Sequence, residues 1–298
     1  MKNGYLSTTM KMIKLERKNG IALIQVLLIS AIISVISLYI SQNARKQVAM
    51  AIVAKQKAEA LIISHSTESE IIFELLTSSK GRADTATVNW NFHGDLFSFS
   101  NDNKAMDVKL SIQDRSALIN LHYPDRDNLL KLLEQSGLSA LKARDIVASL
   151  IDWQKARNSN VSSQKTRGGN IPYIGDFIHV ESVDQKIIEL LQRNATLHRG
   201  ANFNPMLSPF ELLSALTNSS TAMAVISERK SGTLTKNKFV SITKLEENEN
   251  SIFYPSNLLK ITISSSVGKS NVEKQFNIDL FPYASSSAPP FNILSITK

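Results

Sequence analysis

The most prominent pattern in the chain is an unbroken apolar run from Ile21 to Ile40, which contains no charged residue, glycine or proline. As a helix, a run of this length rises about 30 Å, the thickness of the hydrocarbon core of a bilayer. A secretory signal peptide has a shorter apolar region followed by a cleavage site between small residues, and residues 38–42 do not match such a site. The pattern therefore predicts a transmembrane segment at residues 21–40.

The predicted helix is free to continue beyond the membrane. Neither glycine nor proline occurs from Ile21 to Lys80, so an uninterrupted helix is expected to end near residue 79. Apolar residues recur here at steps of three and four, which predicts one stripe that packs against a globular part or against neighbouring helices. The stripe consists of Ala54, Ala58, Leu61, Ile62, His65, Ile72, Phe73 and Leu76.

Serines share one face of the membrane segment, at Ser30, Ser34, Ser37 and Ser41. Each hydroxyl can bond the backbone carbonyl four residues earlier in its own helix. Alternatively, the serines form a contact face of small residues for a partner helix. Four serines on one face favour the contact face.

Short segments that alternate between apolar and polar residues predict strands on both sides of a helical region. They lie at residues 88–92, 96–99, 108–112, 239–242, 259–263 and 275–280. The first three assign residues 81–121 to the first part of an antiparallel sheet, with a turn at His93-Gly94-Asp95, and the others assign residues 231–283 to its second part.

Helical spacing dominates between these two parts, which predicts an inserted all-α domain at residues 122–230. Candidate cap residues precede its helices at Asp125, Ser139, Ser182 and Ser208. Residues 158–170 are predicted to form a polar loop. Residues 284–298, with serines and prolines before an apolar stretch, are predicted to form a flexible C-terminal tail or a docking strand. The predicted fold class is α+β.

Charge adds an orientation to this picture. The 298-residue chain has a formal net charge of +8, and half of it falls on residues 1–20, which contain five Lys or Arg and one Glu. The positive-inside rule places these residues in the cytoplasm and the bulk of the chain across the membrane. The remaining excess is ordinary for the length, so it gives little support for a nucleic-acid partner. The chain has no cysteine, so its fold gains nothing from disulfides.

Catalytic signatures are missing from the sequence. It contains no H-E-x-x-H, Walker A, dinucleotide-binding or G-x-S-x-G motif, and its histidines lack metal-ligand spacing. The pair Asp125 and Asp127 favours a helix cap over a cation site. We therefore expect a protein that is not an enzyme.

The N-terminal region resembles the type IV pilin and pseudopilin superfamily, in which a basic leader ending in glycine precedes an apolar helix. The resemblance implies that a prepilin peptidase cuts after Gly20 and methylates the new N-terminus at Ile21. On the residues alone, an uncleaved signal anchor is an equal alternative. Gln25 would then occupy the fifth mature position, where most members of the superfamily carry a glutamate.

Three further segments resemble the minor pseudopilin K family of type II secretion: residues 114–121, 136–153 and 201–213. The resemblance implies a pilin-like fold with a large inserted α-domain. It also implies a bacterial inner-membrane protein whose bulk is periplasmic, with other minor pseudopilins, the major pseudopilin and an inner-membrane assembly platform as partners. In this family the neutral fifth residue marks the subunit at the tip of the pseudopilus. A divergent pilin that lost the glutamate is the alternative interpretation.

The same resemblance raises calcium as a ligand of the α-domain, although no cofactor is expected to be required. Asp152 and Trp153 match the family, but the loop after them carries lysines and arginines where calcium needs oxygen ligands. Asp176 and Glu181 are the other candidate ligands.

Residues 137–143 also resemble a helix-hairpin-helix turn, which can bind the phosphates of DNA through backbone N–H groups. Only Lys142 and Arg144 lie close to it, so a turn that serves helix packing is favoured. The alternative functions are therefore a minor type IV pilin that binds DNA or surfaces through this turn, and a solitary periplasmic domain held by a signal anchor.

Overall fold

A computed structural model describes residues 19–78, 90–99, 107–155, 167–198, 202–285 and 287–297. Residues 1–18 of the predicted leader, residues 81–89 of the first sheet part and residues 158–166 of the polar loop lie outside the described residues. The chain divides into two units, Met1–Gln56 and Lys57–Lys298.

The first unit is formed by the N-terminal part of helix α1 (Asn19–Thr77). This is the one helix among the described residues that is long and apolar enough to cross a membrane. Every residue from Ile21 to Lys55 is exposed. So much exposed apolar surface is unfavourable in water and calls for lipid or neighbouring helices. The helix ends two residues before the predicted position.

The second unit contains an antiparallel five-stranded sheet with strand order β1-β2-β5-β6-β7. Its strands are β1 (Phe97–Ser98), β2 (Asp107–Asp114), β5 (Leu258–Val267), β6 (Ser270–Leu280) and β7 (Phe291–Thr297). The C-terminal turns of α1 cover one face of this sheet, where Ile71 and Leu75 join a core with Leu110, Ile261 and Phe276. The α+β class predicted from the sequence is confirmed.

The face of α1 that packs on the sheet differs from the predicted stripe. The buried residues of α1 are Ala60, Ser64, Thr67, Glu68, Ile71, Ile72 and Leu75. Of the predicted stripe only Ile72 is buried, whereas Ile62 is 69% exposed and Phe73 62% exposed. Glu68 can occupy the packed face because Lys274 of β6 pairs with it. The sheet also bonds to the helix backbone: Ser265 Oγ donates to the carbonyl of Ala60 at 2.8 Å.

The remaining helices all follow β2 and precede β5 along the chain. They are α2 (Arg126–Gln135), α3 (Ala140–Gln154), α4 (Gln185–Asn194), α5 (Phe210–Leu216), α6 (Ser219–Lys230) and α7 (Lys236–Thr243). Two short parallel strands, β3 (Ile119–Asn120) and β4 (Ala195–Thr196), pair within this region. Its main core gathers apolar residues of α2, α3, α4 and α5. The division into the predicted domains stays a prediction.

Two of the four predicted helix caps are confirmed. Asp125 Oδ1 accepts hydrogen bonds from the backbone N–H groups of Asp127 and Asn128 at 3.0 and 3.1 Å, and Ser139 Oγ accepts from Lys142 N at 3.5 Å. These bonds satisfy N–H groups that have no partner within a helix.

The other two caps are wrong. Ser182 lies in the left-handed region with φ 66°, and Asp184 caps α4 instead, accepting from Ile187 N at 2.9 Å. Ser208 is buried, and its hydroxyl donates to the carbonyl of Ala117 at 2.8 Å. Ser208 is not at the cap position of α5, because the helix begins at Phe210 and Pro209 stands directly before it.

Residues 239–242, predicted as a strand, form the middle of helix α7. Thr235 caps this helix by accepting from Lys238 N at 3.3 Å. Phe239 and Thr243, four residues apart, are the buried positions, and the Phe239 ring packs edge to face on Phe253 with centroids 5.0 Å apart. Four residues are too few to separate a period of two from one of 3.6.

The C-terminal segment, predicted as a flexible tail, contains strand β7. This strand pairs antiparallel with β6, and the register shifts between Asn277 and Ile278. Asn277 Nδ2 donates to Ser295 Oγ at 2.7 Å beside that shift. The docking strand that the sequence left as an alternative therefore docks on the chain's own sheet.

At the other edge, the first predicted strand is not formed by its described residues, 90–92. Phe92 nevertheless accepts a backbone hydrogen bond from Asp114 N at 2.8 Å, and His93 forms an isolated bridge with Gln113. Gly94 has φ +87°, a conformation that glycine adopts without strain. His93 and Phe97 both pair with β2, at Gln113 and at Leu110, so the chain continues along the same strand and the turn predicted at residues 93–95 does not reverse it.

Candidate functional site

The predicted cleavage bond lies in the first turn of α1. The helix begins at Asn19, so Gly20 and Ile21 are its second and third residues, and Ile21 is 50% exposed. Cleavage and methylation at these residues stay predictions.

Gln25 lies one turn further along and is exposed. Its amide is a neutral polar group within an apolar segment that runs to Ile40. An amide has no net charge to neutralise, in contrast to the glutamate that the superfamily resemblance leads one to expect at this place. Its role as a marker of the tip stays a prediction.

The serine face of the membrane segment is exposed at all four positions. Ser34 Oγ donates to the carbonyl of Ser30 at 2.8 Å, as the local alternative predicted. A hydroxyl bonded to its own helix loses no hydrogen bond when a second helix packs over it, so this bond is compatible with both interpretations. The contact face formed with Ser37 and Ser41 stays a prediction.

The segments at 114–121 and 201–213 meet around Asp114, although they are far apart in sequence. Asp114 is completely buried. Its Oδ1 accepts from Ser116 N at 2.8 Å and from Ser256 Oγ at 2.5 Å, and its Oδ2 accepts from Ser256 N at 2.6 Å. Three donors compensate the cost of burying the carboxylate.

We call the contacts around Asp114 the junction. Further backbone and side-chain hydrogen bonds connect it to residues 201–213. Asn204 N donates to the carbonyl of Ser116 at 2.9 Å, and Asn204 Nδ2 donates to the carbonyl of Tyr254 at 3.1 Å. Arg229 also binds this segment: its guanidinium group donates to the carbonyls of Ser208 and Met206 at 2.8 and 2.6 Å. The junction thus ties the helical region to the sheet, which the sequence motifs did not reveal.

Residues 137–143 comprise the end of the turn between α2 and α3 and the first residues of α3, which begins at Ala140. Gly137 has φ +98° and ends α2. Its N–H donates to Glu134 O at 3.0 Å and the N–H of Leu138 to Leu133 O at 3.4 Å, the pattern that closes many helices. Lys142 and Ala143 donate their N–H groups to Ser139. Four N–H groups that could contact a DNA phosphate are therefore occupied within the turn, which favours the packing role.

The candidate calcium ligands do not converge. Asp152 pairs with Lys155 at 2.5 Å, and Asp176 pairs with Arg167. Glu181 lies in the turn before α4. Across the described ranges, no three or more His, Cys, Asp or Glu residues are grouped so that they could hold a metal ion. Because lysine and arginine occupy the carboxylates that calcium needs, these residues do not fit the ion.

A cluster of cations that the sequence analysis missed lies beside the junction. Burial lowers the pKa of Arg115 and of Arg229 to about 10. Burial, followed by the charge of Arg115, lowers the pKa of Lys260. Burial and then the charge of Arg229 lower the pKa of His93 to about 4, although Asp95 opposes this shift. These residues come from separate segments of the chain, so the sequence contains no run of basic residues that would predict the cluster.

No protein-family profile matches the chain, and no curated protein matches it. Among solved structures, the chain is similar to a chain of the GspK-GspI-GspJ complex from the type 2 secretion system of enterotoxigenic Escherichia coli. The similarity covers 82% of this chain and 96% of that chain, with a TM-score of 0.51 and 14% sequence identity. At this identity the likeness shows a shared fold, which agrees with the pseudopilin resemblance of the sequence.

Proposed function

We propose that the chain is a minor pseudopilin of a type II secretion system, with a structural and non-enzymatic role at the tip of the pseudopilus. The observation that carries the proposal is the fold shared with 96% of a chain of the GspK-GspI-GspJ complex. The apolar helix and the helices inserted between β2 and β5 support it. In this role the protein helps to start filament assembly and so to export folded proteins across the outer membrane.

Gln25 supplies the physical reason for a tip position. In the assembly scheme of the superfamily, a glutamate at the fifth mature position neutralises the terminal ammonium of the subunit above. A subunit with nothing above it would keep that carboxylate unpaired in lipid, which costs several kcal/mol. An amide at Gln25 avoids this cost. The same amide gives no comparable benefit to a subunit in the shaft.

The exposed surface of α1 supports assembly with other subunits. Ile62 and Phe73 point away from the sheet, and the serine face lies within the apolar segment. We propose that these surfaces contact other minor pseudopilins, the major pseudopilin and the inner-membrane assembly platform. The protein then sits in the bacterial inner membrane with its N-terminus in the cytoplasm and its bulk in the periplasm.

Processing of the N-terminus tests the proposal directly. The chain purified from the membranes of cells with an active prepilin peptidase should begin at a methylated Ile21, because the peptidase cuts after Gly20. Intact-mass and peptide mass spectrometry measure both changes. A Gly20→Leu variant should keep its leader, since a bulky side chain blocks the close approach that glycine allows. A wild-type chain that begins at Met1 would point to a solitary signal-anchored domain.

Exchange of the amide at position 25 tests the tip role. A Gln25→Glu variant should be cleaved normally but should lower secretion and its own recovery with other minor pseudopilins, because an unpaired carboxylate disfavours the terminal place. Quantitative immunoblotting of culture medium and of affinity-purified complexes measures both effects. Gln42→Glu, the same change just outside the predicted membrane segment, is the matched control and should behave as the wild type. Unchanged secretion in both variants would contradict the tip role.

A further inference from the structure

A positively charged cleft of about 420 Å³ lies between the sheet and the helical region, entirely within the second unit. Five cations line it: Arg115, Arg193, Arg229, Lys230 and Lys260. Asp95 and Glu211 are its carboxylates. Positive charge therefore exceeds negative charge in this cleft, and such an arrangement concentrates anions.

The carboxylates are already engaged by groups at the edge of the cleft. Asp95 Oδ2 lies 3.3 Å from His93 Nε2, and Glu211 Oε1 accepts from Arg193 Nε at 3.2 Å. The Nε atoms of Arg115 and Arg229 are buried, and neither has a hydrogen-bond partner among the described residues. Buried donors are normally satisfied, so the unpaired Nε atoms show that both guanidinium groups are incompletely compensated by the described residues.

Arg115 and Lys260 also repel each other. The pKa of Lys260 is lowered by burial and by the charge of Arg115, and Glu273 offsets these effects only in part. Like charges placed close together are unfavourable by themselves, and an anion between them compensates the repulsion. An oxyanion is the suitable anion, because guanidinium groups bind phosphate and carboxylate with two parallel hydrogen bonds.

We infer that this cleft is a binding site for a phosphate group, either as the free ion or as a phosphomonoester, with Arg115 and Lys260 as the main contacts. Phosphate is favoured over a carboxylate because it offers more acceptor oxygens and up to two negative charges to a cleft with excess cations. The volume of the cleft leaves room for an organic group beside the phosphate. Arg229, which already holds the carbonyls of Ser208 and Met206, contributes charge and a rigid wall.

The test is calorimetric titration of the full chain in detergent micelles with inorganic phosphate and, separately, with glycerol 1-phosphate. We expect saturable binding with a dissociation constant below about 1 mM. Potassium chloride at equal ionic strength should give no saturable signal. Tighter binding of glycerol 1-phosphate identifies a phosphomonoester as the ligand, and equal or weaker binding identifies the free ion.

Two variants locate the site. Lys260→Gln should weaken phosphate binding about tenfold, the effect of losing one charge-assisted contact. Arg115→Lys keeps the charge but loses the planar fork, and it should weaken binding to a smaller extent. Lys142→Gln, an exposed lysine on α3, is the control and should bind as the wild type. Thermal unfolding by tryptophan fluorescence verifies that each variant is folded.

Three results would overturn the inference: no saturable binding of phosphate, equal binding by wild type and Lys260→Gln, or the same loss in Lys142→Gln. None of them depends on processing, assembly or secretion. The inference can therefore fail while the proposed function stands, and the reverse also holds.

Discussion

Replacing Glu68 by glutamine should lower the free energy of unfolding by about 3–5 kcal/mol. Glu68 on α1 pairs with Lys274 on β6, and both residues are buried. The variant leaves the ammonium of Lys274 buried beside a neutral amide, and an uncompensated buried charge is costly. Urea unfolding of the full chain in detergent, followed by the fluorescence of its two tryptophans, measures the change; Trp90 packs against the sheet core.

A double variant separates the lost pair from lost packing. Glu68→Met combined with Lys274→Met removes both charges and keeps apolar volume, so its stability should return to within about 1 kcal/mol of the wild type. Glu134→Gln, the same exchange at an exposed position of α2, should have little effect. A cost below 1 kcal/mol for Glu68→Gln, or an equal cost for the double variant, would show that the pair does not hold α1 on the sheet.

The second large effect is expected at Asp114. An Asp114→Ala substitution should destabilise the second unit by about 3 kcal/mol, because the backbone N–H groups of Ser116 and Ser256 lose a charged acceptor in a buried place. Thermal unfolding followed by near-ultraviolet circular dichroism measures it. The junction that joins the sheet to the helical region should loosen first, so amide exchange should increase around Asn204 before it increases in β6.

Graded variants test this explanation. Ser256→Ala removes the hydroxyl donor to Asp114 but keeps its backbone donor, so it should cost only about 1 kcal/mol. Asp127→Ala, an exposed carboxylate in the first turn of α2, should cost less than about 0.5 kcal/mol. If Asp114→Ala and Asp127→Ala proved equally mild, the bonds at Asp114 would not be what stabilises the junction.

The elements predictable from sequence are those whose pattern is local. The apolar run from Ile21 to Ile40 predicts a transmembrane helix from its own composition, independently of the rest of the chain. Strands β5 and β6 follow an alternation of buried and less buried positions, with Ile261, Ile263 and Phe276 inside. Helices α2 and α3 begin where a capping side chain precedes apolar residues at helical spacing.

The features that could not be predicted depend on partners far along the chain. The buried face of α1 contains Glu68, which the sequence gives no reason to bury until Lys274, 206 residues later, pairs with it. The hydrogen bond from Ser265 Oγ to the carbonyl of Ala60 likewise joins residues that are 205 positions apart. A helical-periodicity argument selects the most apolar face, and most of that face of α1 is left exposed.

The functional features also differ in whether the sequence alone could predict them. The cleavage bond and Gln25 lie in one continuous segment, so the sequence alone defines both. The cationic cleft draws Arg115, Arg229 and Lys260 from three separate parts of the second unit, and only the fold brings them together. From the sequence alone, scattered basic residues cannot be told apart from ordinary surface residues. Only the structure shows that these three line the same cleft.

The pairing of β2 with β5 has a consequence for the order in which the protein folds. Asp114 lies opposite Leu259 in this ladder, so the whole chain from residue 115 to residue 257 intervenes between two adjacent strands. The entropy lost in closing such a loop has to be offset before the ladder forms, and contacts of this range slow folding. The intervening helices contact one another over shorter sequence separations than the β2–β5 pairing, so they are expected to condense first and bring the strands together. A ribosome-bound chain that stops short of β5 would expose the edge of β2 and invite aggregation.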